Sequence, residues 1–174
     1  MEKLQEGYTR KLTFGEILLV RQVYGVTLNY HSVLIHYDSY LPFGLQGERV
    51  AMAPDGEIYF RKSLYRHDYA RESPSLQHLF VHEMAHIWQR QHGLWVRARG
   101  LFSWAANYKY RLDKCRLRDY SLEQQASLIA DHFFLKKFGE REFFRLADRN
   151  LIGIIDKNTL SAYQPVIRSA GLPL

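Results

Sequence analysis

The stretch LFVHEMAHIWQRQHG, residues 79–93, constrains this chain more than any other. Leu76, Phe80, Met84, Ile87 and Trp88 recur at helical spacing, while His78, His82 and His86 repeat every four residues on the roughly opposite side. Ser73 followed by Pro74 reads as an N-cap and first helical position, so the helix is expected to run from there toward Gly93. Such a helix has two specialised faces, an apolar one to be packed and one that carries histidines.

His82-Glu83-Met84-Ala85-His86 is an HExxH run. Residues four apart on a helix lie one above the other, so both imidazoles can reach one zinc ion at about 2.0–2.1 Å. Glu83 stands about 100° further round the helix, out of the ligand set but close enough to take a proton from water at the metal. The bland alternative is a solvated polar face that happens to carry histidines.

A catalytic zinc needs a third protein ligand. His92 has the spacing of a third histidine in HExxHxxGxxH, but the position that must be glycine is Gln89. On an unbroken helix His92 lies about 9 Å further along the axis than His86 and cannot reach the same ion. The other candidate is Glu123, at the edge of a helical face made by Leu122, Ala126, Ile129, Ala130 and Phe133. A carboxylate there is costly unless something positive meets it, although an ordinary first-turn Glu favoured by the helix dipole has the same sequence. His78, one turn before His82, reads as a neighbour of the site. Asp131, two turns beyond Glu123, reads as a surface Asp, with orientation of a zinc histidine as the alternative.

Around these helices the pattern is mixed. A helix is expected from Thr13 to Gly25, strands in HSVLIHYDSYLP and ERVAMAPDGEIYF, with a turn at Asp55-Gly56, and a capped helix from Ser121, with Gln124 three residues on, to Gly139. This reads as an α+β fold: a small twisted antiparallel or mixed sheet packed on the HExxH helix, with a mainly helical C-terminal half. Residues 1–12 are expected to be a flexible segment and residues 13–174 one domain. In 174 residues a 47% hydrophobic fraction can fill a sizeable core. The single cysteine, Cys115, excludes an internal disulfide and a Cys-based zinc site. The net charge of +6 comes without a nucleic-acid motif, so no nucleic-acid partner is expected. No apolar run reaches the length of a transmembrane span or a signal core, which predicts synthesis in the cytoplasm without a Sec signal.

LFVHEMAHIWQ, preceded by AMAPDGEIYF and followed by YKYRL and YSLEQQASLIADHF, resembles the zinc metallopeptidase domains linked to bacterial type VI secretion, including those fused to the C-terminus of some VgrG spike proteins. The resemblance covers roughly residues 13 to 138. It implies a zincin-like, gluzincin-type fold, one Zn2+ held by His82, His86 and Glu123, and Glu83 as general base. It also implies an antibacterial effector secreted into the target periplasm, with a VgrG- or Rhs-type carrier and an immunity protein as partners. The substrate would be a peptide or the peptide stem of peptidoglycan. A catalytically silent zincin-fold binding module, or a housekeeping factor of the secretion machinery, is the alternative.

Amide hydrolysis at such a site usually needs a second donor for the oxyanion besides the metal. Tyr108, Tyr110, Tyr120 and His132 lie near or within the third-ligand region and are the candidates. The strand around Ala51 could offer an edge to which an extended peptide adds.

Overall fold

The computed structural model describes residues 6–94 and 107–173. Strand β1 (Tyr8–Lys11) leads into helix α1 (Phe14–Tyr24), then come strands β2 (Leu34–Tyr37), β3 (Ala51–Met52) and β4 (Ile58–Phe60). Helices α2 (Pro74–Gln91), α3 (Leu122–Arg145) and α4 (Thr159–Arg168) follow, giving an α+β molecule with a helical C-terminal half.

Local chemistry places most of these boundaries. Thr13 Oγ1 accepts from the Glu16 amide at 3.1 Å while the Glu16 carboxylate accepts from the Thr13 amide at 2.8 Å, a capping box that starts α1. Ser121 and Gln124 repeat the device at α3. Ser73 does sit at the N-cap of α2, but its side chain makes no capping bond and Pro74 alone marks the start. Gly139, at φ 84° and ψ 170°, interrupts α3 where its first straight run was expected to stop; helical backbone resumes beyond it as far as Arg145.

The sheet is mixed, in the order β1-β2-β4-β3. β1 is antiparallel to β2, β2 parallel to β4, and β4 antiparallel to β3, which leaves β3 on one edge. Ile35, Ile58 and Phe60 turn one sheet face toward Phe80, Met84 and Ile87 of α2, all fully buried. α3 covers the other side of α2, so every residue from Gln77 to Gln89 except the half-buried Leu79 is buried, and the histidine face is no solvated surface.

Residues 8–12 depart from the flexible segment expected over 1–12. They form β1 and end in Leu12, part of the core. The charges that made this stretch look detachable are satisfied internally: Arg10 grips both oxygens of the fully buried Glu16 at 2.8 Å and donates to the Arg66 carbonyl at 2.9 Å. A paired guanidinium carries a strand into the fold as readily as an apolar residue would.

Candidate metal centre

α2 and α3 cross so that His82 and His86 face Glu123. Glu123 Oε2 lies 3.4 Å from His82 Nε2 and 3.2 Å from His86 Nε2, and one ligand atom from each of the three residues falls within 4.8 Å of the others. A tetrahedral ion with ligands at about 2.0–2.1 Å keeps its ligand atoms about 3.4 Å apart, close to the two distances from Glu123 to the histidines. Glu123 Oε2 is also buried without a hydrogen-bond partner among the described residues. It stands at ion-pair distance from two imidazole nitrogens without a hydrogen bond to either, a position in which one bound cation would meet all three atoms. Two nitrogens and one oxygen form a donor set that suits zinc.

Gln89, read from the sequence only as a missing glycine, orients the site. His86 Nδ1 donates to Gln89 Oε1 at 2.9 Å, which leaves Nε2 unprotonated toward Glu123 when the ring is neutral. Gln89 is itself locked, because its Nε2 donates to the Leu122 carbonyl at 2.8 Å and to Gln125 Oε1 at 3.1 Å. The readable signal was its place three residues after His86, on the same helix face.

The electrostatics follow from burial and pairing. Burial would raise the Glu123 carboxyl, but His82 and His86 outweigh it and hold the group well below the usual carboxylate range. Glu83 lines the same cleft and is pushed up to about 7, first by burial, with His86 opposing and Glu123 adding to the shift. No hydrogen bond ties the Glu83 carboxyl among the described residues, so it is available to move a proton. The cleft measures about 630 Å³ and runs between residues 49–54, which include the edge strand β3, and the histidine face of α2.

The four candidate oxyanion donors separate. Tyr108 lines the cleft with its ring 6.0 Å from that of His82, and burial pushes its hydroxyl up to about 12. Tyr110 is corrected: its hydroxyl is committed to Asp131 at 2.7 Å and to Tyr163 at 2.6 Å. Tyr120 is corrected too, since its hydroxyl donates to the Arg111 carbonyl and accepts from the Lys114 amide, tying down that loop. His132 faces a separate 140 Å³ cavity beside Lys136, where burial lowers it to about 4. His92 caps α2 and bonds back to the Trp88 carbonyl at 2.8 Å, because the helix continues unbroken past Gln89. Asp131 is not a surface Asp: it is fully buried, and the histidine it holds is His78.

No family model matches the chain. It is 40% identical over 140 residues to the type VI secretion system spike protein VgrG2b of Pseudomonas aeruginosa; the match takes in 75% of this chain and 14% of that protein. The chain thus spans about one seventh of that relative. Among solved structures it resembles the effector domain of Pseudomonas aeruginosa VgrG2b at 34% identity, with a TM-score of 0.66 and coverage of 86% of this chain and 87% of that one.

Proposed function

The chain belongs to the family of the VgrG2b effector domain, and on that footing we propose that it is a zinc-dependent peptidase or amidase acting as an antibacterial type VI secretion effector. One observation carries the enzymatic part. Glu123 Oε2, buried without a hydrogen bond, faces two imidazole nitrogens in an open cleft that also holds Glu83. His82, His86 and Glu123 would hold the metal, as in a zincin. When bound, zinc polarises a carbonyl and makes water a better nucleophile near neutral pH.

The chain's own residues supply the rest. Glu83 takes the proton from the attacking water and passes it to the leaving amine, a role suited to a carboxyl pushed up to about 7. Tyr108, the one oxyanion candidate in the cleft, donates a hydrogen bond from its hydroxyl to the developing oxyanion. β3 is an edge strand along the cleft wall, so an extended substrate can pair with it and lie across the metal. The proposed substrate is a peptide or a peptidoglycan stem in the target periplasm. A VgrG- or Rhs-type carrier delivers the protein, and an immunity protein guards the producer. Among the described residues no helix is long and apolar enough to cross a membrane.

Glu83→Gln tests this reading, because it keeps shape and removes the proton acceptor. Zinc content stays at wild type while peptide hydrolysis, and growth inhibition after export to the periplasm, fall by orders of magnitude. Equal toxicity of the Gln variant would reduce the protein to a binding module.

A further inference from the structure

His78 lies one helical turn before His82 on the same face of α2, and lines the same cleft while being only 3% exposed. It is no metal ligand. Its Nε2 donates to Asp131 Oδ1 at 2.8 Å. Asp131 Oδ2 meanwhile accepts from the Tyr110 hydroxyl at 2.7 Å, the Asn150 amide at 3.0 Å and the Leu151 amide at 3.1 Å. A carboxylate receiving three other donors is held as an acceptor, so the proton of the shared bond belongs to His78 Nε2. With Nε2 given to Asp131, Nδ1 is left without a partner among the described residues.

Asp131 fixes two things with one side chain. It sets the His78 ring, and through Asn150 and Leu151 it sets the segment whose Asp148 and Asn150 close this end of the cleft. The exposed Asp148 carboxylate has no ion pair among the described residues, and the nearby Lys109 gives its ammonium to the Arg149 carbonyl at 3.1 Å. The side-chain amide of Asn150 is already spent on Ser127 Oγ and the Asp148 carbonyl. His78 Nδ1 and the Asp148 carboxylate are left at this end without a partner among the described residues. A mere tie between α2 and α3 would need only the Nε2 donor.

Spacing gives the location. Four residues of helix advance about 6 Å, and an extended peptide advances about 3.4 Å per residue, so His78 stands about two residues from a bond held at His82, His86 and Glu123. The geometry points to a substrate subsite at this end of the cleft: His78, oriented by Asp131, together with Asp148 receives a hydrogen-bond-donating side chain about two residues from the scissile bond. This rests on the peptidase reading above.

His78→Gln is the discriminating variant, because the Gln amide nitrogen can still donate to Asp131 while its oxygen, the remaining acceptor, no longer occupies the Nδ1 position. With a proteome-derived peptide pool, the zinc-loaded variant keeps its metal, loses about tenfold in kcat/KM mainly through KM, and loses the preference for Lys, Arg, Asn or Gln at that one position. Asp131→Asn, which frees the ring, shows the same flattened preference. An unchanged cleavage profile and KM in His78→Gln, beside an active wild type, overturns the subsite and leaves the peptidase reading standing. Capture of the same pool by zinc-loaded Glu83→Gln, with and without His78→Gln, needs no turnover. If wild type cleaves nothing but capture still depends on His78, the subsite stands and hydrolysis falls; if nothing is cleaved or captured, both fall.

Discussion

His86 Nδ1 and Gln89 Oε1 are 2.9 Å apart, and the bond between them joins the metal helix to the start of α3 through a single buried amide. Removing that acceptor frees the His86 ring to rotate or change tautomer. Gln89→Leu is therefore expected to weaken zinc binding about 10- to 100-fold without unfolding the protein. Competition with a chromophoric chelator measures it; wild-type affinity would show that the ring needs no second contact.

The ligand assignment is tested residue by residue. Purified protein is expected to carry about one zinc per chain, and His82→Ala, His86→Ala and Glu123→Ala are each expected to lose most of it. His92→Ala retains it, because that ring is turned to Trp88. Elemental analysis of the four variants decides, and the opposite pattern for Glu123 and His92 would move the site.

Zinc uptake is expected to expel a proton. Burial alone would lower His86, yet Glu123 raises it to about 9 in the metal-free protein, so at pH 7 the ring is charged and must discharge before it can coordinate. Apparent affinity then rises about tenfold per pH unit as pH climbs toward that value. Calorimetry at pH 7 in buffers of different ionisation heat reads the proton count as close to one. A count of zero excludes His86 as a ligand.

Arg10→Ala leaves the fully buried Glu16 carboxylate without its guanidinium. A loss of about 3 kcal/mol is expected, since a broken buried pair strands a charge. Urea unfolding measures it, and a change near zero would mean that residues 8–12 contribute little to the fold.

The elements readable in the sequence are those governed by local signals. The helix start at Thr13, the capping box at Ser121, Pro74 after Ser73 and the turn at Asp55-Gly56 set their boundaries within a few residues, and HExxH carried its own spacing. Pairings between distant segments were not readable. The parallel contact of β2 with β4 leaves no trace in either strand alone. Asp131 looked like a surface residue because its partners, His78, Tyr110, Asn150 and Leu151, come from three separate regions. Tyr110 and Tyr120 were near Glu123 in sequence, but their hydroxyls had been claimed by folding.

The proposed ligands sit on two helices, with the whole stretch from Ile87 to Leu122 between them. An ion bound there acts as a cross-link, and the chain entropy lost in closing that loop is charged to metal binding. In a protein whose lone cysteine cannot pair internally, this is a removable staple. Its strength depends on free zinc, so the same polypeptide is easier to unravel where the metal is scarce and harder to unravel where it is plentiful.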